Sequence, residues 1–239
     1  MKRRFLDINV DVGEGFNNES QIMPYIYSCN IACGGHTGDN DSMRAVVKLA
    51  KKHNVKIGAH PSFPDKVHFG RKIVEMSSAN LYTSLMKQIR GLIHILNEEH
   101  IQLRHIKPHG ALYNLAAIDS KTANVIIEVV KSIAYPLKLY APYGSVIANL
   151  AEKEKIPVTY EVFADRNYNN DLTLVSRREE KAVISNSKEV IEHTLRMLLK
   201  GKVKTIQGNE LDIMADTFCI HGDNPKAVDL IKKLKEHFG

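Results

Sequence analysis

Seven short apolar runs punctuate the chain, and most of them end in ionisable side chains. In order they are LDINVDVGEG from Leu6, NIACGGHTGD from Asn30, VKIGAHP from Val55, RHIKPHGALYN from Arg104, LKLYAP from Leu137, VTYEVFADR from Val158 and TFCIHGD from Thr217. Runs of this length, rich in Val and Ile, suit strands buried on both faces. Six of the seven deliver Asp, His, Lys, Glu or Arg at their carboxyl ends, and the fifth delivers only Ala-Pro. In parallel strands those tips share one end of the sheet, where α/β enzymes place their chemistry.

The intervening segments carry helical stripes. Met43, Val46, Val47 and Ala50 follow the spacing of one buried helix face, as do Leu85, Ile89, Leu92, Ile93 and Leu96 in a longer helix starting near Ser77. Ile126, Val129, Val130 and Ile133 repeat the pattern, and Ile147, Leu150 and Ala151 echo it. Ile191, Leu195, Leu198 and Leu199 form a further stripe, with Asn186 and Glu189 spaced as its cap. Asn224-Pro225 reads as an N-cap and first-turn proline, opening a helix that buries Ala227, Leu230, Ile231, Leu234 and Phe238. Strand and helix alternate throughout, which predicts parallel strands joined by right-handed crossovers. Seven strands fit a closed or nearly closed α/β barrel; an open doubly wound sheet is the alternative. No linker, low-complexity tract or repeat interrupts the pattern, so residues 1–239 are expected to form one domain. Long loops are expected over residues 61–78 and 167–171, both covering the face of the strand tips.

Composition narrows the picture. With 44% hydrophobic and 25% charged residues, the chain of 239 residues has the make-up of a soluble globular protein. Its net charge of +6 is scattered over helical segments such as Lys48-Lys51-Lys52 and Lys232-Lys233-Lys235, without an RNA-recognition or zinc-finger pattern. Nucleic acid is therefore not an expected partner. Three cysteines do not make a disulfide framework. The N-terminal MKRRFLDINVDVGEG reads as a first strand and not a signal peptide, and no run reaches the ~18 apolar residues of a membrane span. The expected location is cytoplasmic, away from membranes.

The strand tips supply the chemistry. Asp7, Asn9 and Asp11 alternate and so share a face, with Glu14 just beyond. Such groups are costly inside a barrel unless paired or used. His36, His60, His109 and His221 follow four separate runs, whereas His53, His94, His100, His193 and His237 fall in helical segments, and His68 and His105 are ambiguous. Imidazoles and carboxylates so placed serve as general acids and bases. Asp11 with two of the histidines could equally hold a divalent metal that activates water. No HExxH spacing decides between these. Lys107, Arg71 and Arg166 add positive charge for a substrate carboxylate or phosphoryl group, or for ion pairs with Asp65, Asp165 or Glu161. Gly34-Gly35, Gly58, Gly110 and Gly222 suit tight strand-to-helix turns. A P-loop sequence is absent. Cys33 precedes His36 and invites a nucleophilic reading, but buried packing suits it better, as it does Cys29 and Cys219.

Taken together, DINVDVGEG from Asp7, NIACGGHTGD from Asn30, GAHP from Gly58, Asp65, FGR from Phe69, KPHGALYN from Lys107, EVFADR from Glu161, Tyr168 and HGD from His221 resemble the LamB/YcsF family of 5-oxoprolinase A components. The matches run from the first strand to the last. Val10, Leu172 and Ser176 stand where cysteine, glycine and proline are usual in that family. The resemblance implies a seven-stranded distorted α/β barrel of the glycoside hydrolase/deacetylase type. It also implies ATP-dependent cleavage of 5-oxo-L-proline to L-glutamate with subunits B and C, ATP being the co-substrate. On that reading Asp11, His60, His109 and His221 are the catalytic set, with Asp11 or His109 as base for the attacking water. Asn9, Lys107, Asn114 and Arg166 would hold substrate, together with Glu14, His36, Arg71, Asp165 and Asp223. Two rivals stand beside it: a metal-dependent hydrolase of carbohydrate-like substrates, and a non-catalytic component that binds 5-oxoproline.

Overall fold

The computed structural model describes residues 6–238. Its strands are β1 (Ile8–Val12), β2 (Ser28–Ala32), β3 (Lys56–His60), β4 (His105–Ile106), β5 (Lys138–Pro142), β6 (Val158–Phe163), β7 (Lys202–Lys204), β8 (Glu210–Asp212) and β9 (Thr217–Ile220). Strands β1 to β6 and β9 close into a seven-stranded barrel, every neighbouring pair parallel, with β9 bridging β6 and β1. The α-helices are α1 (Glu19–Ile22), α2 (Asn40–Lys52), α3 (Ser78–Glu98), α4 (Gly110–Ala116), α5 (Ser120–Lys131), α6 (Val146–Lys153), α7 (Ser187–Lys200) and α8 (Ala227–Phe238). The open doubly wound alternative is thereby excluded.

Strand parity divides the barrel wall. In β1, Ile8, Val10 and Val12 face one side while Asn9 and Asp11 face the other, and all five are buried. Cys29 and Ile31, Ile57 and Ala59, Ile106, Leu139, Val162, and Phe218 and Ile220 continue the apolar outer face. It packs against helix faces such as Met43, Val46, Val47 and Ala50 of α2 and Leu85, Ile89, Leu92 and Leu96 of α3. Asp39 caps α2, accepting from the Ser42 amide while the Ser42 side chain returns the bond, and Ser77 caps α3 through the Asn80 amide. The strands are buried on both faces as expected, but the inner face is polar.

Several local expectations shift. The buried face of α7 is Val190, His193, Thr194 and Met197, rotated by one residue from the expected Ile191, Leu195, Leu198 and Leu199, of which Leu199 is exposed. Asn186 does cap this helix, accepting from the Lys188 and Glu189 amides. Helix α8 starts at Ala227, because the Asn224 side chain accepts from the Lys226 amide in a turn that delays the helix. The β7–β8 hairpin and α4 are additions to the expected elements, since neither carries a periodic signal. The loop after β6 runs on to α7, far beyond residue 171, and folds on itself through bridges Arg166–Val183 and Tyr168–Leu174. Gly58 lies within β3 and not in a turn: a Cβ there would stand 2.1 Å from His105 Nε2.

Candidate active site at the carboxyl mouth of the barrel

The barrel interior is a ladder of polar groups rising toward the strand ends. Thr217 donates to Asp7 Oδ1 (2.8 Å) and accepts from Asn9 Nδ2 (3.0 Å). Asn30 Nδ2 donates to Asn9 Oδ1 and Asp11 Oδ1, both at 2.8 Å, while His105 Nε2 donates to Asn30 Oδ1 at 2.6 Å and its ring stacks on Tyr140. Lys107 Nζ crowns the ladder, 2.9 Å from Asp11 Oδ1, 2.8 Å from Glu161 Oε1 and 3.2 Å from Cys219 Sγ. The Glu161 contact is a close ion pair and not a directed hydrogen bond, since neither Glu161 oxygen meets an aligned donor among the described residues. Burial alone would drive charge off both Asp11 and Lys107. Against it, His60 and Lys107 hold the Asp11 carboxyl well below its ordinary range, and Asp11 with Cys219 and Glu161 holds the Lys107 ammonium well above its own.

Above this ladder four segments converge. Glu14 follows β1, His36 follows β2, His60 ends β3, and His109 is the N-terminal cap residue of α4 after β4. The His36 and His109 rings stack at 3.6 Å, with His60 perpendicular to both. Phe69 closes the stack edge-on, and Gly70 passes beneath it at φ +62°, where a Cβ would come within 2.9 Å of the His109 ring. Glu14 Oε1 lies 2.9 Å from His36 Nε2 and 3.4 Å from His109 Nδ1. Burial, then the charge of Asp11, lifts the Glu14 carboxyl to about 7, and burial lowers His36 to about 3. The ligand atoms of Glu14, His36, His60 and His109 all lie within 4.8 Å of one another, a donor set suited to a metal ion. His36 Nδ1 is buried without a hydrogen-bond partner among the described residues.

Across the mouth, His221 follows β9 and donates from Nδ1 to Asp165 Oδ1 at 2.9 Å, leaving Nε2 for the cavity. Burial opposes ionisation of Asp165, but His221 and Asn224 hold its carboxyl below the ordinary value. The cavity encloses about 600 Å³. Its floor is Asp11, His60, Lys107 and His109; its rim carries Arg71, Arg177 and Arg178. Arg71 and Arg177, from different loops, both bind Asp223 Oδ2, at 2.6 and 2.7 Å.

Of the sequence-derived site residues, Asp11, Glu14, His60, Arg71, Lys107, His109, Asn114, Arg166, His221 and Asp223 line this cavity. Asn9, His36 and Asp165 do not line it. Asn9 is sealed beneath Asp11, His36 lies behind Glu14 and His109, and Asp165 holds His221 from behind. Arg166 forms no carboxylate pair among the described residues; its guanidinium donates to the carbonyls of Val175 and Ala182 and ties the long loop together. Arg177 is an addition to the expected set: nothing in its local sequence marks it, and its partner Asp223 is 46 residues away. Cys33 is buried, and its thiol is pushed up to about 12 by burial, against a nucleophilic role.

Comparison with known proteins matches residues 6–239 to the family described as LamB/YcsF. The A component of 5-oxoprolinase from Haemophilus influenzae (strain PittEE) is 41% identical over 231 residues, covering 97% of this chain and 94% of the relative. That of Pyrococcus abyssi (strain GE5 / Orsay) is 40% identical over 242 residues, covering 98% and 95%. Among solved structures, a lactam utilization protein from Thermus thermophilus superposes with a TM-score of 0.90 at 36% identity, covering 98% of this chain and 95% of that one. A family 4 carbohydrate esterase from Streptomyces lividans reaches a TM-score of 0.51 at 8% identity, covering 97% and 86%, a likeness of fold alone.

Proposed function

The chain belongs to the LamB/YcsF family, and from that premise we propose that it is the A component of an ATP-dependent 5-oxoprolinase, opening 5-oxo-L-proline to L-glutamate together with subunits B and C. The observation that carries this reading is the convergence, in one cavity, of buried acid–base groups with a rim of arginines. The substrate is a small anion. Arg71 and Arg177 are already engaged with a carboxylate, that of Asp223, and a substrate carboxylate can take its place through two-point hydrogen bonding.

A five-membered lactam is a poor electrophile, because its nitrogen donates into the carbonyl. Transfer of the ATP γ-phosphoryl group to the lactam oxygen removes that resistance, and we assign this transfer to the partner chains. Water then adds to the ring carbon, the C–N bond breaks with its electron pair passing to nitrogen, and nitrogen takes up a proton. A second water releases phosphate from the resulting acyl phosphate. His221, oriented by Asp165, is the group able to remove a proton from water and return it to nitrogen. Asp11, kept anionic by Lys107, orients the water at the floor, and Asn114 binds the substrate at the wall. Glu14, His60 and His109 are also the residues that could hold a metal, which would supply Lewis acidity at the floor.

The test is ATP-dependent glutamate release by the chain mixed with subunits B and C. Replacing His221 by Ala, or Asp165 by Asn, should lower kcat by at least ~10²-fold while circular dichroism stays unchanged. Near-normal turnover in both variants, with 5-oxoproline still bound, would leave the chain with a binding role only. The Glu14–histidine group favours a second reading, a metal-dependent hydrolase working without ATP. Turnover indifferent to the omission of ATP selects it.

A further inference from the structure

We propose that Glu14, His60 and His109 bind a first-row divalent ion of the zinc class through Glu14 Oε1, His60 Nε2 and His109 Nδ1, with His36 orienting Glu14. Two hydrogen bonds at this cluster admit one direction only. His60 Nδ1 lies 2.8 Å from the Lys107 carbonyl oxygen, and His109 Nε2 lies 2.9 Å from the Phe69 carbonyl oxygen. A carbonyl accepts and never donates, so both of those nitrogens carry hydrogen. A neutral imidazole has one N–H, which leaves lone pairs on His60 Nε2 and His109 Nδ1. Those two nitrogens face each other at 2.9 Å. Two acceptors at that distance repel, and Glu14 Oε1 brings a third, 3.4 Å from His109 Nδ1 and 3.9 Å from His60 Nε2, while Asp11 Oδ2 stands 3.3 Å from His60 Nε2 on the floor side. Something positive belongs between them.

A proton on one ring would join the two nitrogens and attract the carboxylate, but it would leave Glu14 Oε1 at 3.4 and 3.9 Å, beyond a good hydrogen bond to either ring. An ion accounts for all three. Metal–nitrogen and metal–oxygen bonds of about 2.0–2.2 Å around a tetrahedral centre set donor–donor separations near 3.3 Å. The observed 2.9, 3.4 and 3.9 Å bracket that value. The distal hydrogen bonds fit as well, since a ligating histidine commonly donates its other N–H to a backbone carbonyl. His36 Nε2, 2.9 Å from Glu14 Oε1, donates to that carboxylate and holds it in place; this leaves Nδ1 as the buried atom without a partner among the described residues. Two imidazoles and a carboxylate select zinc-like ions over magnesium and calcium, which prefer all-oxygen sites. The three ligands line the cavity, so the remaining coordination positions open onto it.

Donor geometry alone calls for this ion, whichever substrate the cavity takes. The experiment strips the purified full-length chain with a chelator and titrates it with zinc, with cobalt and with magnesium. Elemental analysis and the visible absorption of bound cobalt are the readouts. The expected result is about one zinc or cobalt per chain, no competition by magnesium, and a loss of at least ~10-fold in affinity in Glu14→Gln and His109→Gln. Arg177→Ala should bind as the wild type does, and thermal melts confirm that each variant is folded. No uptake of zinc or cobalt, or uptake unchanged in folded Glu14→Gln and His109→Gln, overturns the proposal. A ¹⁵N imidazole spectrum showing a proton shared between His60 and His109 in the presence of zinc overturns it as well. Ion uptake is read without substrate, so its failure is separate from failure of the lactam reading.

Discussion

The barrel wall separates two buried regions of opposite character. Outside it, Ile8, Val10, Ile31, Leu139 and Val162 meet the helices in an apolar layer. Inside it, Asn9, Asn30, His105, Lys107 and Glu161 are equally hidden from solvent, yet every one is polar. The outer layer tolerates imprecision, because apolar contact is non-directional and roughly proportional to area. The inner one does not: each donor needs an aligned acceptor, and each charge a counter-charge, or the group costs free energy by being buried. The difference shows why the site sits at the carboxyl mouth. The interior ladder is the rigid base on which Asp11 and Lys107 are held.

Breaking each region should give different signatures. Lys107→Met leaves Asp11 and Glu161 uncompensated inside the barrel and should cost about 3–5 kcal/mol, with turnover abolished. Leu139→Ala in the outer layer should cost a comparable 2–5 kcal/mol, roughly, but spare kcat. Chemical denaturation paired with the turnover assay separates the two, and equal kcat losses would erase the distinction. Gly58→Ala pushes a methyl group into His105 and should cost about 1–3 kcal/mol, part of which Gly58→Ala/His105→Ala recovers. The smallest effect is a matter of pH. Burial lifts the Asp7 carboxyl to about 6, so the folded chain holds this proton more tightly than the unfolded chain does. Stability is then fully retained below about pH 4 and falls as pH rises toward about 6, by at most roughly 3 kcal/mol in all. Asp7→Asn should remove that slope, raising Tm at pH 7.5 and leaving it unchanged at pH 4.

The strand runs and most helices are readable from periodicity, because solvent exclusion imposes the 2- and 3.6-residue repeats directly on the chain. Helix α7 departs from its stripe for an instructive reason. Its strongest apolar stripe is half exposed, while His193 and Thr194 turn inward, His193 against Tyr168 of the long loop after β6. Loop geometry has no period. That is also why neither Arg177 nor the full length of the loop is legible in the sequence.

Local pattern was enough to assign alternation of strand and helix, parallel strands and the polar strand tips, since each follows from short-range spacing and side-chain chemistry, whereas it left a closed barrel and an open sheet both standing. Which tips become neighbours was settled by closure of the barrel, through contacts such as that of Thr217 with Asp7, 210 residues apart. Closure sealed Asn9 below the cavity, set His36 against Glu14, and brought His60 Nε2 within 2.9 Å of His109 Nδ1. A hydrogen bond depends on direction as well as distance, and direction between remote side chains exists only once the whole wall has formed.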